Sequence, residues 1–254
     1  MRRLLVLVAA LLLTGAGSAQ AATWTHMPLH TDVDYQLGGD RTVPAHVGIV
    51  ERDRTSRPVR GRYNVCYVNG FQTQPDALRW WRTHHWDLVL KQDGRPVGDT
   101  AWGEWLLDTR TAAKRQALAR IVGGWIRGCD ADGFDATELD NLDSFTRSRH
   151  LLTRSDAIAF ARLLVARAHD AGLAVGQKNL AGYDGTRIGF DFAVAEECGR
   201  YRECGLYAAS YGSRVLSIEY RATDFAWTCA HFGARWAVVL RDRDLTPTGV
   251  RRWC

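Results

Sequence analysis

The chain has 254 residues, 46% of them hydrophobic and 24% charged, with a formal net charge of +5. That length supports one large domain with a substantial core, or two small ones. The basic excess is small and dispersed, with no Lys/Arg block interleaved with aromatics, so no nucleic-acid partner is expected.

Residues 1–21 read as a removable leader. Arg2 and Arg3 precede the apolar run Leu4 to Leu13, and Ala19-Gln20-Ala21 supplies the small residues of a cleavage site. The run is too short to span a bilayer, which takes roughly 20 residues. Cleavage after Ala21 is expected to leave a secreted protein of about 233 residues, with a charge of about +3 and no membrane association.

In the mature chain, Val33 to Leu37 and His46 to Val50 read as short strands, and the charged run Glu51 to Arg60 as a surface connection. Asn64 to Asn69 is a β-rich strand, and Pro75 to Trp86 a helix with proline in its first turn. Trp105 to Asp108 is a buried segment. Thr111 to Arg127 repeats apolar residues every three or four positions, predicting a helix that stops at Gly128.

Asp132 to Asp143 (DGFDATELDNLD) then reads as a buried strand running into a carboxylate-rich loop. Thr153 and Asp156 open a second amphipathic helix that ends at Gly172. Four strands follow, at Ala174 to Asn179, Phe190 to Glu196, Val215 to Tyr220 and Trp236 to Asp242. Helical stretches near Tyr207 to Tyr211 and Asp224 to Phe232 separate the later ones.

Apolar strands alternating with amphipathic helices indicate a mostly parallel sheet. About eight strands in a chain near 250 residues predict a single-domain α/β fold, the (β/α)8 barrel, over residues 22–254. The strand ends favour the barrel over an open sheet. Asp108, Asp140 with Asn141, Lys178 with Asn179, Glu196, Glu219 with Tyr220, and Arg241 with Asp242 would gather at one mouth. There is no Gly-rich phosphate loop after the first strand.

Six cysteines in an exported chain favour disulfides over a metal cluster. Cys198 and Cys204 would close a small loop, and Cys229 would hold the tail through Cys254. Cys66 with Cys129 follows by elimination. No pair has the C-x-x-C spacing of a zinc site.

Asp140 and Glu196 form the first candidate catalytic pair, because two carboxyls across one pocket are what glycosidic cleavage requires. Strand alternation puts Glu138 on the same face as Asp140. A single strand-end acid is more often solvated or a helix cap, and only the accumulation across several strands favours chemistry. Lys178 reads equally as a partner that keeps a carboxylate ionised or as a structural ion pair to Asp140 or Asp191. Trp80, Trp81, Trp86, Trp102 and Trp105 are weak support for sugar stacking. G-x-S-x-G and H-E-x-x-H are absent. A non-catalytic carbohydrate-binding barrel and a metal-dependent hydrolase are the rival readings, since clustered acids also hold hard cations.

The runs DVDYQLGG, NVCYVNGFQTQ, GCDADGFDATELDNLDS, AGLAVGQKN, FDFAVAEECGRYREC, VLSIEY and VVLRDRDLTP resemble bacterial members of glycoside hydrolase family 114, the endo-α-1,4-polygalactosaminidases. The resemblance covers about Asp32 to Cys254. It implies a (β/α)8 barrel acting on α-1,4-linked galactosamine polymer, with no cofactor and no metal, and a monomer is expected. By the same resemblance Asp140 is the nucleophile and Glu196 the general acid/base. Asp34, Glu138, Lys178, Asn179 and Tyr220 fall on motif positions that resemble sugar-binding lining. Tyr35, Asn141, Glu219 and Asp242, their neighbours or other strand ends, complete the candidate substrate contacts. Leu139, Ala195 and Glu197 depart from residues common at those positions, which bears on substrate preference.

Overall fold

The computed structural model describes residues 23–254, so the expected leader lies outside the described residues. Nine strands form one sheet in chain order. They are β1 (Asp32–Tyr35), β2 (Val47–Asp53), β3 (Tyr63–Asn69), β4 (Ala136–Asp140) and β5 (Ala174–Lys178), then β6 (Phe192–Glu196), β7 (Val215–Glu219), β8 (Ala237–Arg241) and β9 (Arg251–Trp253). The first eight pair in parallel, and β9 runs antiparallel to β8. A sheet of sequence-consecutive parallel strands curls into a barrel covered by its crossover helices. This is the single α/β barrel domain expected from the strand count.

Closure is indirect. β1 and β8 lie side by side without sharing a ladder, and β9 spans the gap. Val239 of β8 pairs with Trp253, whose indole nitrogen donates to the Val33 carbonyl of β1 at 2.7 Å. Asp34 joins the same seam. Its buried carboxylate accepts from Arg251 at 2.5 Å and from Arg41 at 3.3 Å.

Side chains alternate across each strand. Inward positions such as Val33, Ile49, Val65, Ala136, Ala174, Phe192, Val194, Leu216 and Val239 fill the barrel. Gly176 is inward too, and a Cβ there would meet the Phe192 ring at 2.6 Å. Outward positions such as Val68, Leu139, Val175 and Ala193 pack against the helices. Full burial of each large aliphatic residue stabilises by about 1.5 to 3 kcal/mol.

The two long helices are α2 (Ala112–Asp132), which follows α1 (Leu78–His84), and α3 (Arg154–Asp170). Thr111 caps α2 by accepting from Lys114 N, and Thr153 with Asp156 forms the expected capping box on α3. Short helices α4 (Cys198–Tyr201) and α5 (Cys204–Tyr211) precede α6 (Ala222–Phe232). The disulfides are Cys66–Cys129, Cys198–Cys204 and Cys229–Cys254, as expected.

Three expectations are corrected. α2 does not stop at Gly128. It continues to Asp132, because Cys129 must face β3 for its disulfide and Gly133, at φ +92°, makes the turn that ends it. Glu51 to Asp53 are strand rather than surface loop, and Glu51 is wholly buried. Asp108 does not reach the mouth. It is buried between Arg110 at 2.7 Å and Lys114 at 2.5 Å, and although burial opposes ionisation, those two donors hold its carboxyl at about 2.

Candidate active site

At the C-terminal ends of the strands lies a cavity of about 330 Å³, within the size range of small-molecule sites. Three consecutive strands end there in the same way. Asp140, Lys178 and Glu196 each occupy the last inward position, and each is followed by a residue in left-handed backbone, Asn141 (φ +67°), Asn179 (+51°) and Glu197 (+56°). That backbone turn leaves the strand register and swings Asn141 and Asn179 back over the mouth, so both line the cavity.

Lys178 sits at the centre of the floor, 3% exposed. Its ammonium donates to Glu138 Oε1 at 2.9 Å and lies 3.4 Å from Asp140 Oδ1 and 3.7 Å from Glu196 Oε2. Burial would discharge it, but Asp140, Glu138 and Glu196 together hold its pKa well above the usual lysine range. It also donates to the Tyr35 hydroxyl at 2.9 Å.

Below it, Glu51 and Glu138 are fully buried. Burial and the neighbouring Glu138 push the Glu51 carboxyl well above the ordinary range. Burial raises the Glu138 carboxyl as well, against the pull of Lys178.

Asp140 is held by three donors. It accepts from Tyr67 Oη at 2.6 Å, from the Asn141 backbone N–H at 2.7 Å and from Asn141 Nδ2 at 3.3 Å. Glu196 accepts from the Tyr220 hydroxyl and, at 25% exposed, is open to solvent. Burial, reinforced by Asp140 at Tyr67 and by Glu196 at Tyr220, pushes both phenol pKa values well above 10, so both act as donors.

A second layer of acids rims the mouth. The cavity lining carries seven carboxyl side chains against Lys178, Arg147 and Arg243, so its field is negative although the chain as a whole is basic. Arg147 is taken up by Asp99 at 2.9 Å and Asp143 at 3.0 Å, and Arg243 by Glu197 at 3.0 Å.

Of the residues singled out in the sequence, Tyr35, Asp140, Asn141, Lys178, Asn179, Glu196 and Tyr220 line the cavity. Glu138 faces the same way as Asp140 but lies beneath it, out of the lining. Asp34, Glu219 and Asp242 are elsewhere. Asp34 and Glu219 are each one residue out of phase with an inward tyrosine, Tyr35 and Tyr220. Asp34 is in the seam. Glu219 points to the helix side, where it accepts from Gly199 N at 2.7 Å and Thr228 at 2.9 Å. Asp242 caps its own loop by accepting from Thr246 N at 2.7 Å. Lys178 pairs with Glu138 and Asp140, not with Asp191, which binds His169 at 2.9 Å.

Tyr67, Asp53 and Glu104 line the site without having been anticipated in that role, and Trp102, named above as weak support for sugar stacking, lines it too. Tyr67 and Asp53 were legible in principle, by counting back in twos along their strands. The other two come from the excursion between β3 and α2. The only group of metal-ligand type among the described residues is Cys198, Cys204 and Glu219, and both of its sulfurs are in a disulfide.

A family model for glycoside hydrolase family GH114 matches residues 14–254. The chain belongs to family GH114. Its barrel is accordingly that of a glycoside hydrolase, and its substrate a polysaccharide. Among solved structures it is similar to Ega3 of Aspergillus fumigatus, crystallised with galactosamine, at 22% identity and TM-score 0.73 over 94% of this chain and all of that one. It is also similar to the glycoside hydrolase domain of PelA from Pseudomonas aeruginosa, at 14% identity and TM-score 0.61, over 88% of this chain and 98% of that one. These likenesses bear on the fold. No curated protein matches this GH114 sequence. Among the described residues no helix is long and apolar enough to cross a membrane.

Proposed function

We propose that this GH114 chain is an exported, endo-acting hydrolase of α-1,4-linked galactosamine polymer, free or partly acetylated, that works by two carboxylates with retention. The observation that carries the reading is the grouping of Asp140 and Glu196 around one ammonium. Oxygens 3.4 and 3.7 Å from the same nitrogen can be no more than about 7 Å apart, which accommodates the retaining spacing near 5 Å and lies below most of the inverting range.

Asp140 is the nucleophile. Its oxygens are held in place by Tyr67 and Asn141, and one of them attacks the anomeric carbon as the bond to the leaving oxygen breaks. Glu196 gives its proton to that oxygen, then takes one from the water that displaces Asp140 and restores the free carboxylate. Its partial exposure suits a group that must exchange protons with solvent. Lys178 compensates the two carboxylates. Tyr35, Asn141, Asn179 and Tyr220 are the sugar contacts, and Glu138 orients Lys178 from below.

The acidic lining supports a cationic amino sugar as substrate. Three disulfides, which form in oxidising compartments, support export with the leader removed.

The test is mass spectrometry of products after the mature protein is incubated with partly deacetylated α-1,4-galactosamine polymer. Asp140→Asn and Glu196→Gln are run alongside, each with and without chelator. Oligosaccharides are expected from the wild type alone, in equal yield with chelator. Intact polymer in the wild-type tube would overturn the substrate, and products from either variant would overturn the assignment of that carboxylate.

A further inference from the structure

We propose that Glu104 reads the free amino group of the sugar at the cleaved bond, with the Trp102 ring as a stacking platform beside it. This rests on the reading of the site as a galactosamine hydrolase and names the residue that selects the non-acetylated sugar.

Both residues belong to a short hairpin in which Gly98–Asp99 pairs with Glu104–Trp105. The hairpin lies in the excursion between β3 and α2 and leans over the mouth. Trp102 at its tip is 51% exposed and lines the cavity, an arrangement suited to a sugar face and costly to leave in water. Glu104 is 9% exposed, and both its oxygens accept from Asn69 Nδ2 at 3.0 Å. Among the described residues no cation pairs with it. Asp99 and Asp143, beside it in the lining, share Arg147. A buried carboxylate with a neutral amide donor and no cation is held uncompensated. Burial, together with Asp140 nearby and against the Asn69 hydrogen bond, pushes its carboxyl up to about 7.

Position gives the second argument. Asn69 Oδ1 accepts from Asn141 Nδ2 at 3.0 Å, and that same nitrogen reaches Asp140 at 3.3 Å. Glu104 is thus tied to the nucleophile by two side chains. In a 2-amino sugar the nitrogen sits on the carbon next to the one Asp140 attacks. An ammonium there supplies the charge that Glu104 lacks. An acetamido group carries no charge and adds a bulky acyl group.

The test compares kcat/KM on the fully deacetylated α-1,4-galactosamine tetramer and on its fully N-acetylated counterpart. The wild type is expected to prefer the free amine. Glu104→Gln, which keeps an oxygen for Asn69, is expected to lower that preference about 10- to 100-fold, the range for a lost charged hydrogen bond, while Glu104→Asp retains the preference for the amine. An undiminished preference in folded Glu104→Gln overturns the inference and leaves the hydrolase reading intact, as does a wild type that cleaves both tetramers equally. A wild type that cleaves neither overturns both. Trp102→Ala at the exposed tip is the fold-independent arm. It is expected to raise KM for both tetramers about tenfold, and an unchanged KM removes the platform.

Discussion

Lys178 donates to Glu138 at 2.9 Å at the floor of the cavity, beside Asp140 and Glu196, the proposed catalytic carboxylates. The pair is both the electrostatic base of the site and part of the barrel core. Its loss should therefore register in stability as well as in rate.

Lys178→Met is expected to cost about 3 to 5 kcal/mol, because it strands the buried Glu138 carboxylate. Adding Glu138→Met should recover much of that stability while leaving the enzyme inactive. Urea midpoints for the two single variants and the double variant check this. Additive losses would show that the pair is not coupled.

Glu104 makes stability depend on pH in a direction opposite to that of a salt-bridged acid. Its carboxyl rises from about 4.5 to about 7 on folding, with burial as the main cause. The folded state therefore holds a proton that the unfolded state has released, and stability falls as pH rises from 4.5 to 7. Glu104→Gln should be more stable than wild type above pH 7, by up to about 2 kcal/mol after allowing for partial solvent screening. The gain should vanish near pH 4.5. Thermal melts at pH 4.5, 6 and 8 check it, and a constant difference would refute it.

Tyr67→Phe removes the 2.6 Å donor to Asp140, and Tyr220→Phe the donor to Glu196. Each is expected to lower kcat about 10- to 100-fold with little change in melting temperature, since each half-buried ring keeps its packing and only the bond to a charged group is lost. Steady-state kinetics on the polymer beside thermal melts separate the two effects.

Asp34→Ala is expected to act through the seam. Arg41 and Arg251 lose the buried carboxylate between them, costing about 3 kcal/mol or more. KM should remain as in wild type at temperatures where the variant is folded. A raised KM would instead put Asp34 in contact with sugar.

The strand ends were legible because a buried strand that breaks into Asp, Lys or Glu is unusual, and Asp140, Lys178 and Glu196 share that form. Which of two adjacent polar residues faces inward was not. One step of register separates Tyr35 from Asp34 and Tyr220 from Glu219, and sequence alone does not say where a strand's phase is anchored. Asn141 and Asn179 break the phase again through left-handed backbone, which asparagine tolerates. Glu51 to Asp53 read as a loop because charge usually marks surface, whereas here Glu51 is buried in the barrel interior, Asp53 faces the cavity and Arg52 is tied to the neighbouring loops. Trp102 stood out only as one of five clustered tryptophans, and the hairpin that carries it and Glu104 had no legible signal. Its two-residue strands are too short for a period, and its place over the mouth depends on contacts across the chain.

The ninth strand leaves the molecule with a late and non-local step of assembly. The bond from Trp253 to Val33 joins residues 220 positions apart, so the barrel can seal only after the intervening strands have been laid down. Until then β1 and β8 are open edges with unpaired backbone, templates for pairing with a second copy. Cys229–Cys254 holds that last strand in place. A chain kept reduced is therefore expected to be lost to self-association through the seam rather than to simple unfolding, and the catalytic mouth would be intact in the molecules that remain.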